Sequence, residues 1–502
     1  MTDKIIFWLN AYMLFFGLAQ KLQNKHDCEL YAIIDITNRT KKFFENQDLI
    51  KFQQTWFLHD HLQKNEKIDI DYLTNFEKKY SINLWQLGIN ERIFYQYNDF
   101  YQFSQNEILS ILEKECKLYE SILDKIKPDY LITSETALHQ QHLFYEICRK
   151  KGIKVLMLNQ SKLAYKCIIS QELHKLDAMP MLSDIPSKGR TFDELLKILN
   201  QKDNSKQLKL FEKNFGGTNS SKMKAASDYF LKSDNSNTKT HFSYYGRNKS
   251  RVFFDYISKS LKTKKRKSFI DKTLEFDIHH DEKYILFTLH QEPERSLLIA
   301  TPFYTNQLEV IRHIAKSIPP GYLLYVKEHF SQSLREWREI SYYKEILKIP
   351  NVRLFHPSSN IQKLIENASF VISIGGTVSL EAAFYQKPSI IMSDMGFSVL
   401  PSVQKIVSLQ ELPIKIREGL EMKVNSDDLD RYLSILDEHS FELDLKEYEI
   451  NEANFFRHGG NFHDTEITDE KMQLFLENSK TFFEILTNKY IEKIQKFKEK
   501  KI

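Results

Sequence analysis

Residues 369–392 read SFVISIGGTVSLEAAFYQKPSIIM. An apolar run of strand length halts at Gly375, Gly376 and Thr377, a helix-forming run begins at once, and Glu381 stands one turn into it. Outward from this stretch the same rhythm repeats. Apolar runs stand at 284–289 (YILFTL), 322–326 (YLLYV), 352–355 (VRLF), 369–374 (SFVISI) and 389–392 (SIIM), separated by segments of helical length and periodicity. Five apolar strands alternating with helices predict a doubly wound parallel sheet, because strands covered by helices on both faces have no polar face to show.

In such a sheet ligands bind outside the carboxyl ends of the strands, so the residues that follow each strand are the ones to weigh. They are HQEPE, KEH, HPSSN, GGT and SDMGF. Together they set His290, Gln291, Glu292, Lys327, His329, Ser358, Ser359, Gly375, Gly376, Thr377 and Asp394 along one edge of one domain. Lys327 offers a point charge to a phosphate, and His329 a donor to the same group or to a sugar hydroxyl. The two glycines admit a ligand close to the backbone, Thr377 is placed to cap the next helix, and the amides there favour an anion. Glu381, four residues on and on the same helical face, suits the two hydroxyls of a ribose. Gln291, Glu292 and Asp394 are further substrate contacts. Each feature also has a bland reading: a tight turn with a cap at GGT, hydrogen-bonded structural histidines, a solvated Glu381. Convergence at one sheet edge favours a site for a nucleotide-activated sugar.

The chain of 502 residues is too long for one ordinary core and suits two domains. With 42% apolar and 27% charged residues it reads as a soluble globular protein, and a net charge of +4 makes no case for nucleic acid as partner. Cys28, Cys116, Cys148 and Cys167 have no metal or dithiol spacing and read as reduced core thiols of a cytoplasmic protein. KIIFWLNAYMLFFGLA near the N-terminus is too short to span a bilayer, holds Asn10 and lacks a cleavage site, so it reads as a buried strand entering a helix. That strand opens a second alternating series: ELYAIID, then DYLIT at 129–133, a crossover helix within ALHQQHLFYEICRKKG closing on a glycine, and IKVLML at 153–158. Polar runs (NQKDNSKQ, GGTNSS, KSDNSNTK) and the basic KTKKRKS mark helical insertions and a linker between about 165 and 270. KKRK at 264–267 reads first as a solvated charge run and second as a hold on an anionic membrane face. The expected domains are 1–270, 271–425 and a helical segment 426–502 that packs back towards the first, with the boundary near 270–283.

Glycosyl transfer needs a base on the acceptor side. Glu135, after the strand DYLIT and before a helix, is the first candidate and Asp35, ending YAIID, the second; His290 is a third catalytic candidate from the other domain. Glu135 as a helix cap is the competing reading. No Asp-x-Asp stands at a strand end to hold a metal, and DID at 69–71 reads as an N-cap.

From ILFTLHQEPE through LYVKEH and PNVRLFHPSSNIQKLIENASFVISIGGTVSLEAAFYQKPSIIM to LQELPIKI, the chain resembles the capsule polysaccharide biosynthesis family of bacterial and archaeal glycosyltransferases. The resemblance implies the GT-B architecture, two Rossmann-like domains facing across a cleft, and a metal-independent transferase that moves a sugar from a nucleotide donor, CMP-linked in some members, to a surface or capsular glycan or a lipid-linked glycan. It implies no cofactor beyond the nucleotide-sugar as co-substrate, and it places nucleotide-binding roles on Lys327, His329, Thr377 and Glu381. The chain departs from the family where Lys-Glu-His-Pro becomes Lys327, Glu328, His329 and Phe330, which loosens the loop that aims His329. It departs again where threonine-glycine-threonine with a following aromatic becomes Gly375, Gly376 and Thr377 with Leu380 after. A non-hydrolysing sugar-nucleotide 2-epimerase and an inactive nucleotide-sugar-binding subunit are the alternative readings.

Overall fold

The structure, a computed structural model, describes residues 2–62, 67–161, 166–200, 219–233, 241–334, 337–459 and 464–499. Most of the polar runs read as linkers, NQKDNSKQ and KSDNSNTK among them, lie outside the described residues. Contacts divide the chain into two compact units, Met1–Ala178 with Lys202–Arg251 and Ser440–Ile502, and Met179–Gln201 with Val252–His439. The dividing point falls at 251/252, inside the helix Lys249–Thr273, where the sequence suggested 270–283.

In the first unit β1 (Asp3–Leu9), β2 (Cys28–Ile34), β3 (Phe52–Phe57), β4 (Tyr130–Thr133), β5 (Lys154–Gln160) and β6 (Lys166–Ser170) join one sheet with the short strand Phe441–Glu442. The order is Phe441–Glu442, β6, β5, β4, β1, β2, β3, with β5, β4, β1, β2 and β3 parallel, β6 antiparallel to β5, and Phe441–Glu442 antiparallel to β6. β1 shows why it is central. Ile5, Phe7 and Leu9 enter one apolar core, and Ile6 and Trp8 the other, so the period of two buries both faces. The first core is closed by the chain's end: Phe483 of the helix Lys480–Lys498 lies on Gly17 of the helix Leu14–Lys25, where an added Cβ would meet the ring at 2.1 Å. Asp69 caps the helix Ile70–Tyr80 by accepting from the Tyr72 amide at 2.9 Å. The crossover helix His139–Lys150 ends on Gly152 at φ +78°, the left-handed position a glycine fills without strain.

The second unit holds β7 (Tyr284–Thr288), β8 (Leu323–Lys327), β9 (Val352–Phe355), β10 (Phe370–Ser373), β11 (Ser389–Ile391) and β12 (Val403–Lys405). The order is β12-β11-β10-β7-β8-β9 and every pair is parallel. Numbered within the unit, this is the 3-2-1-4-5-6 order of the doubly wound nucleotide-binding fold, so the winding reverses between β7 and β10. The chain is thus α/β with two Rossmann-like units, the components of the GT-B architecture. Among the described residues no helix is long and apolar enough to cross a membrane.

Candidate functional site

Strand order puts the crevice of the second unit between the loops that leave β7 and β10, and these loops touch. The Gly375 amide donates to His290 Nε2 at 3.0 Å. A Cβ on Gly376 would sit 3.5 Å from the same imidazole, and one on Gly375 would stand 3.1 Å from Ser393 Oγ, a tight approach that the hydroxyl would have to yield to. Neither glycine has a positive φ. With Nε2 accepting, a neutral His290 carries its proton on Nδ1, which faces Ser296 Oγ at 3.4 Å. Ser296 in turn donates to Glu294 at 2.8 Å. Burial pushes the Glu294 carboxyl up, but the His290 hydrogen bond and charge, the His329 charge and Ser296 outweigh it and hold it at about 2. A histidine, a hydroxyl and an ionised carboxylate therefore line one wall of the crevice.

A buried charge cluster that the sequence reading passed over fixes this loop. Glu328 is wholly buried and accepts from Arg338 Nε and Tyr343 Oη, each at 2.8 Å, and from the His329 amide at 2.6 Å. Arg338 pairs on its other side with Glu292 at 2.7 Å and donates to the His290 carbonyl. Gln307 completes the frame, accepting from the His290 amide at 2.7 Å and donating to Glu292. Burial opposes the Arg338 charge, yet the carboxylates of Glu328 and Glu292 hold its pKa well above the ordinary range. Glu292 and Gln291, expected as substrate contacts, are engaged in building the loop. Gln291 exchanges hydrogen bonds with Ser331, 3.2 Å to its carbonyl and 3.0 Å from its hydroxyl.

Lys327 is the last residue of β8 rather than the first of its loop, and it is buried. Its Nζ donates to the carbonyls of Pro357 at 2.9 Å and Glu328 at 3.2 Å, with no carboxylate bonded to it among the described residues. Burial lowers its pKa to about 8 against the opposing pull of Glu328. Burial also lowers His329 to about 4, with Glu294 opposing and His290 adding, so its ring is neutral at pH 7. Ser331 meets His329 Nδ1 with its amide at 3.3 Å and its hydroxyl at 2.8 Å, which leaves Nε2 as the N–H. Phe330 stacks on that ring with centroids 4.7 Å apart. The missing proline was expected to loosen the loop, but stacking and Ser331 fix the aim of His329 instead.

Thr377 does not cap. Its backbone is already helical, its side chain makes no cap bond to the helix Val378–Phe384, and its hydroxyl donates to Glu381 Oε1 at 2.9 Å. The turn is stitched by Ser373, whose Oγ accepts from the Gly376 amide at 3.3 Å and pairs with Ser379 Oγ at 2.8 Å. Ser358 and Ser359 lie apart, at the end of edge strand β9. Ser358 Oγ meets His356 Nδ1 at 2.6 Å and Ser359 Oγ donates to the Glu275 carbonyl at 3.2 Å. Asp394 is exposed and paired with Lys405 at 3.2 Å.

In the first unit Asp35 follows β2, with its amide on the Leu9 carbonyl at 2.8 Å. Its carboxylate meets His59 Nε2 at 3.1 Å and accepts from Gln140 at 3.2 Å. His59, just beyond β3, was missed by the sequence reading. Its Nδ1 is buried with no hydrogen-bond partner among the described residues, and its ring lies against His241, centroids 5.1 Å apart. Glu135 stands exposed on the loop after β4 and does not cap the next helix, because Glu91 accepts from the His139 amide at 2.9 Å. The His139 ring is clamped between Glu91 at 2.9 Å and Glu115 at 3.1 Å.

Residues 193–399 match the family described as capsule polysaccharide biosynthesis protein. The match begins upstream of the stretch that carries the resemblance in the sequence and ends before LQELPIKI. No curated protein matches the chain. Solved structures similar to it include the Methanocaldococcus jannaschii UDP-GlcNAc 2-epimerase in complex with UDP-GlcNAc and UDP, at 13% identity over 87% of this chain and 100% of that one, TM-score 0.26. They also include Thermosulfurimonas dismutans KpsC, a beta Kdo 2,7 transferase, at 13% identity over 74% and 96%, TM-score 0.30, and Anabaena Alr3699/HepE in complex with UDP and glucose, at 11% over 87% and 95%, TM-score 0.24. Superpositions this loose carry no information about substrate or reaction.

Proposed function

We propose, for a chain whose residues 193–399 carry the capsule polysaccharide biosynthesis match, that it is a glycosyltransferase moving a sugar from a nucleotide-activated donor to a glycan or lipid-linked glycan acceptor. The observation that supports this most is the bridged crevice between β7 and β10, which joins His290 to the Gly375 amide in the same unit as a buried lysine whose charge has no bonded carboxylate. A buried cation of this kind is best compensated by an anion brought from outside. Lys327 and the amides at Gly376 and Thr377 are assigned to the donor phosphate, His329 Nε2–H to the same group or a sugar hydroxyl, and Glu381 to the ribose.

In the transfer, the acceptor oxygen bonds to the anomeric carbon while the bond from that carbon to the phosphate oxygen breaks. The electron pair leaves on the phosphate, where donors fixed beforehand stabilise it without reorganising. The acceptor proton goes to a general base. Asp35 holds His59 by Nε2 and leaves a lone pair on Nδ1, the arrangement of an oriented general base.

A second reading draws on the His290, Ser296 and Glu294 chain, which is equally suited to moving a proton on a bound sugar, as a 2-epimerase would. One assay separates the two. The protein is incubated with CMP-, UDP- and GDP-sugars with and without glycan acceptor, and nucleotide release and sugar configuration are followed. Acceptor-dependent release supports transfer, and a new epimer in the absence of acceptor overturns it.

A further inference from the structure

The helix Lys249–Thr273 takes no part in the chemistry above, yet within the second unit its exposed side is unusual. At 100° per residue, Phe254, Ile257, Leu261, Lys264, Lys265, Ser268 and Lys272 fall on one stripe. The opposite side is the anchored one: Ile270 enters the core, and the buried Arg266 donates to the Trp337 carbonyl at 2.7 Å and pairs with Glu339. The stripe itself is open to solvent. Phe254 is 68% exposed and Leu261 63%, with Ile257 between them at 41%. Single apolar residues on a surface need no explanation, but aromatic and aliphatic side chains on successive turns do. The stripe changes character along its length, apolar over its first half and cationic over its second. Lys264, Lys265 and Lys272 are exposed and have no carboxylate at ion-pair distance among the described residues, unlike Lys267, which pairs with Asp271.

We propose that this helix face is the docking surface of the protein for an anionic phospholipid bilayer. Phe254, Ile257 and Leu261 enter the boundary between headgroups and acyl chains, and Lys264, Lys265 and Lys272 meet lipid phosphates. Charge decides the occupant. A zwitterionic surface would leave three lysines without counter-charge, and a nucleic acid would leave the apolar half without a partner. The inference goes beyond the transfer chemistry and does not depend on it.

The test uses the full-length chain and vesicle flotation, with phosphatidylcholine alone or mixed with phosphatidylglycerol, at low and high salt. Binding is expected only with phosphatidylglycerol and weaker at high salt. The variants Phe254→Ser/Leu261→Ser and Lys264→Gln/Lys265→Gln/Lys272→Gln should each lower partition by about tenfold or more, with melting temperature and nucleotide affinity unchanged. Three results overturn the proposal: no binding to phosphatidylglycerol vesicles, binding that neither variant weakens, or a dimer lost in Phe254→Ser/Leu261→Ser without any vesicle binding, which assigns the face to a second copy. Because none of these residues is assigned to the donor site, failure here leaves the transferase reading standing.

Discussion

Lys327 gives the sharpest test of the donor site, because a buried lysine near pKa 8 makes nucleotide affinity depend on pH. In the free protein about nine-tenths of Lys327 is charged at pH 7 and about one-tenth at pH 9. A phosphate beside it favours the charged form and raises the pKa of the complex. Affinity should then fall about tenfold between pH 7 and pH 9, about 1.4 kcal/mol, with uptake of roughly half a proton on binding at pH 8. Titration calorimetry in two buffers of different ionisation enthalpy reads both quantities. The sign for stability is opposite to that of an ordinary ion pair. The folded pKa lies below the unfolded value of 10.5, so the unfolded chain binds more protons between the two. Stability of the free protein should therefore rise with pH from 8 to 10.5, by up to about 3 kcal/mol. Lys327→Met should flatten the affinity profile, weaken nucleotide binding and raise the melting temperature of the free protein at pH 7. A wild-type affinity unchanged from pH 7 to pH 9, or a Met variant that keeps the slope, would refute the assignment of Lys327 to the phosphate.

Glu381→Ala should weaken nucleotide binding by about 1–3 kcal/mol with little change in melting temperature, and a large loss of melting temperature at unchanged affinity would make Glu381 structural. Asp35→Asn and His59→Gln should each cost roughly 100- to 10,000-fold in turnover at normal nucleotide affinity, and Glu135→Gln less than about tenfold; the reverse ranking returns the base to Glu135. Arg338→Met strands the buried Glu328 carboxylate and should cost about 3–5 kcal/mol in denaturant unfolding; a loss under about 1 kcal/mol would mean the cluster is not held as described. Burial opposes a charge on His139, but Glu115 and Glu91 raise its pKa to about 10. Its contribution is therefore full below the unfolded pKa of 6.5 and lost as pH rises through 10, so the melting temperature should fall across that window in wild type and not in His139→Gln.

The strands that the sequence revealed are those buried on both faces, such as β1 and β7, whose side chains alternate between two cores and leave an unbroken apolar run. Those it concealed are edge or near-edge strands. β3 (FQQTWF) has only Trp56 fully buried, β12 is VQK, and β6 lies in a stretch whose polar surroundings read as insertion. Position at a strand end was legible for His290, Lys327 and Gly375, because topology alone sets it. Partnership was not. Glu328 finds Arg338 ten residues on in a stretch without periodicity, and Asp35 finds His59 and Gln140 at separations of 24 and 105 residues, which only the tertiary fold joins. For the same reason Thr377 looked like a cap until its hydroxyl was found on Glu381.

The contact of Phe483 with Gly17 joins residues that flank Val252–His439 in the sequence, so synthesis leaves the core of the first unit unfinished until it has passed through that stretch. The ribosome delivers β1 and the helix Leu14–Lys25 before Val252–His439, but the ring that covers them belongs to the helix Lys480–Lys498, which follows it. By then the whole of Val252–His439 has emerged and can form its own sheet. The order of maturation in the cell is thus reversed with respect to the order of translation, and the early strands must wait with an apolar face uncovered, the period in which a nascent chain depends most on chaperones.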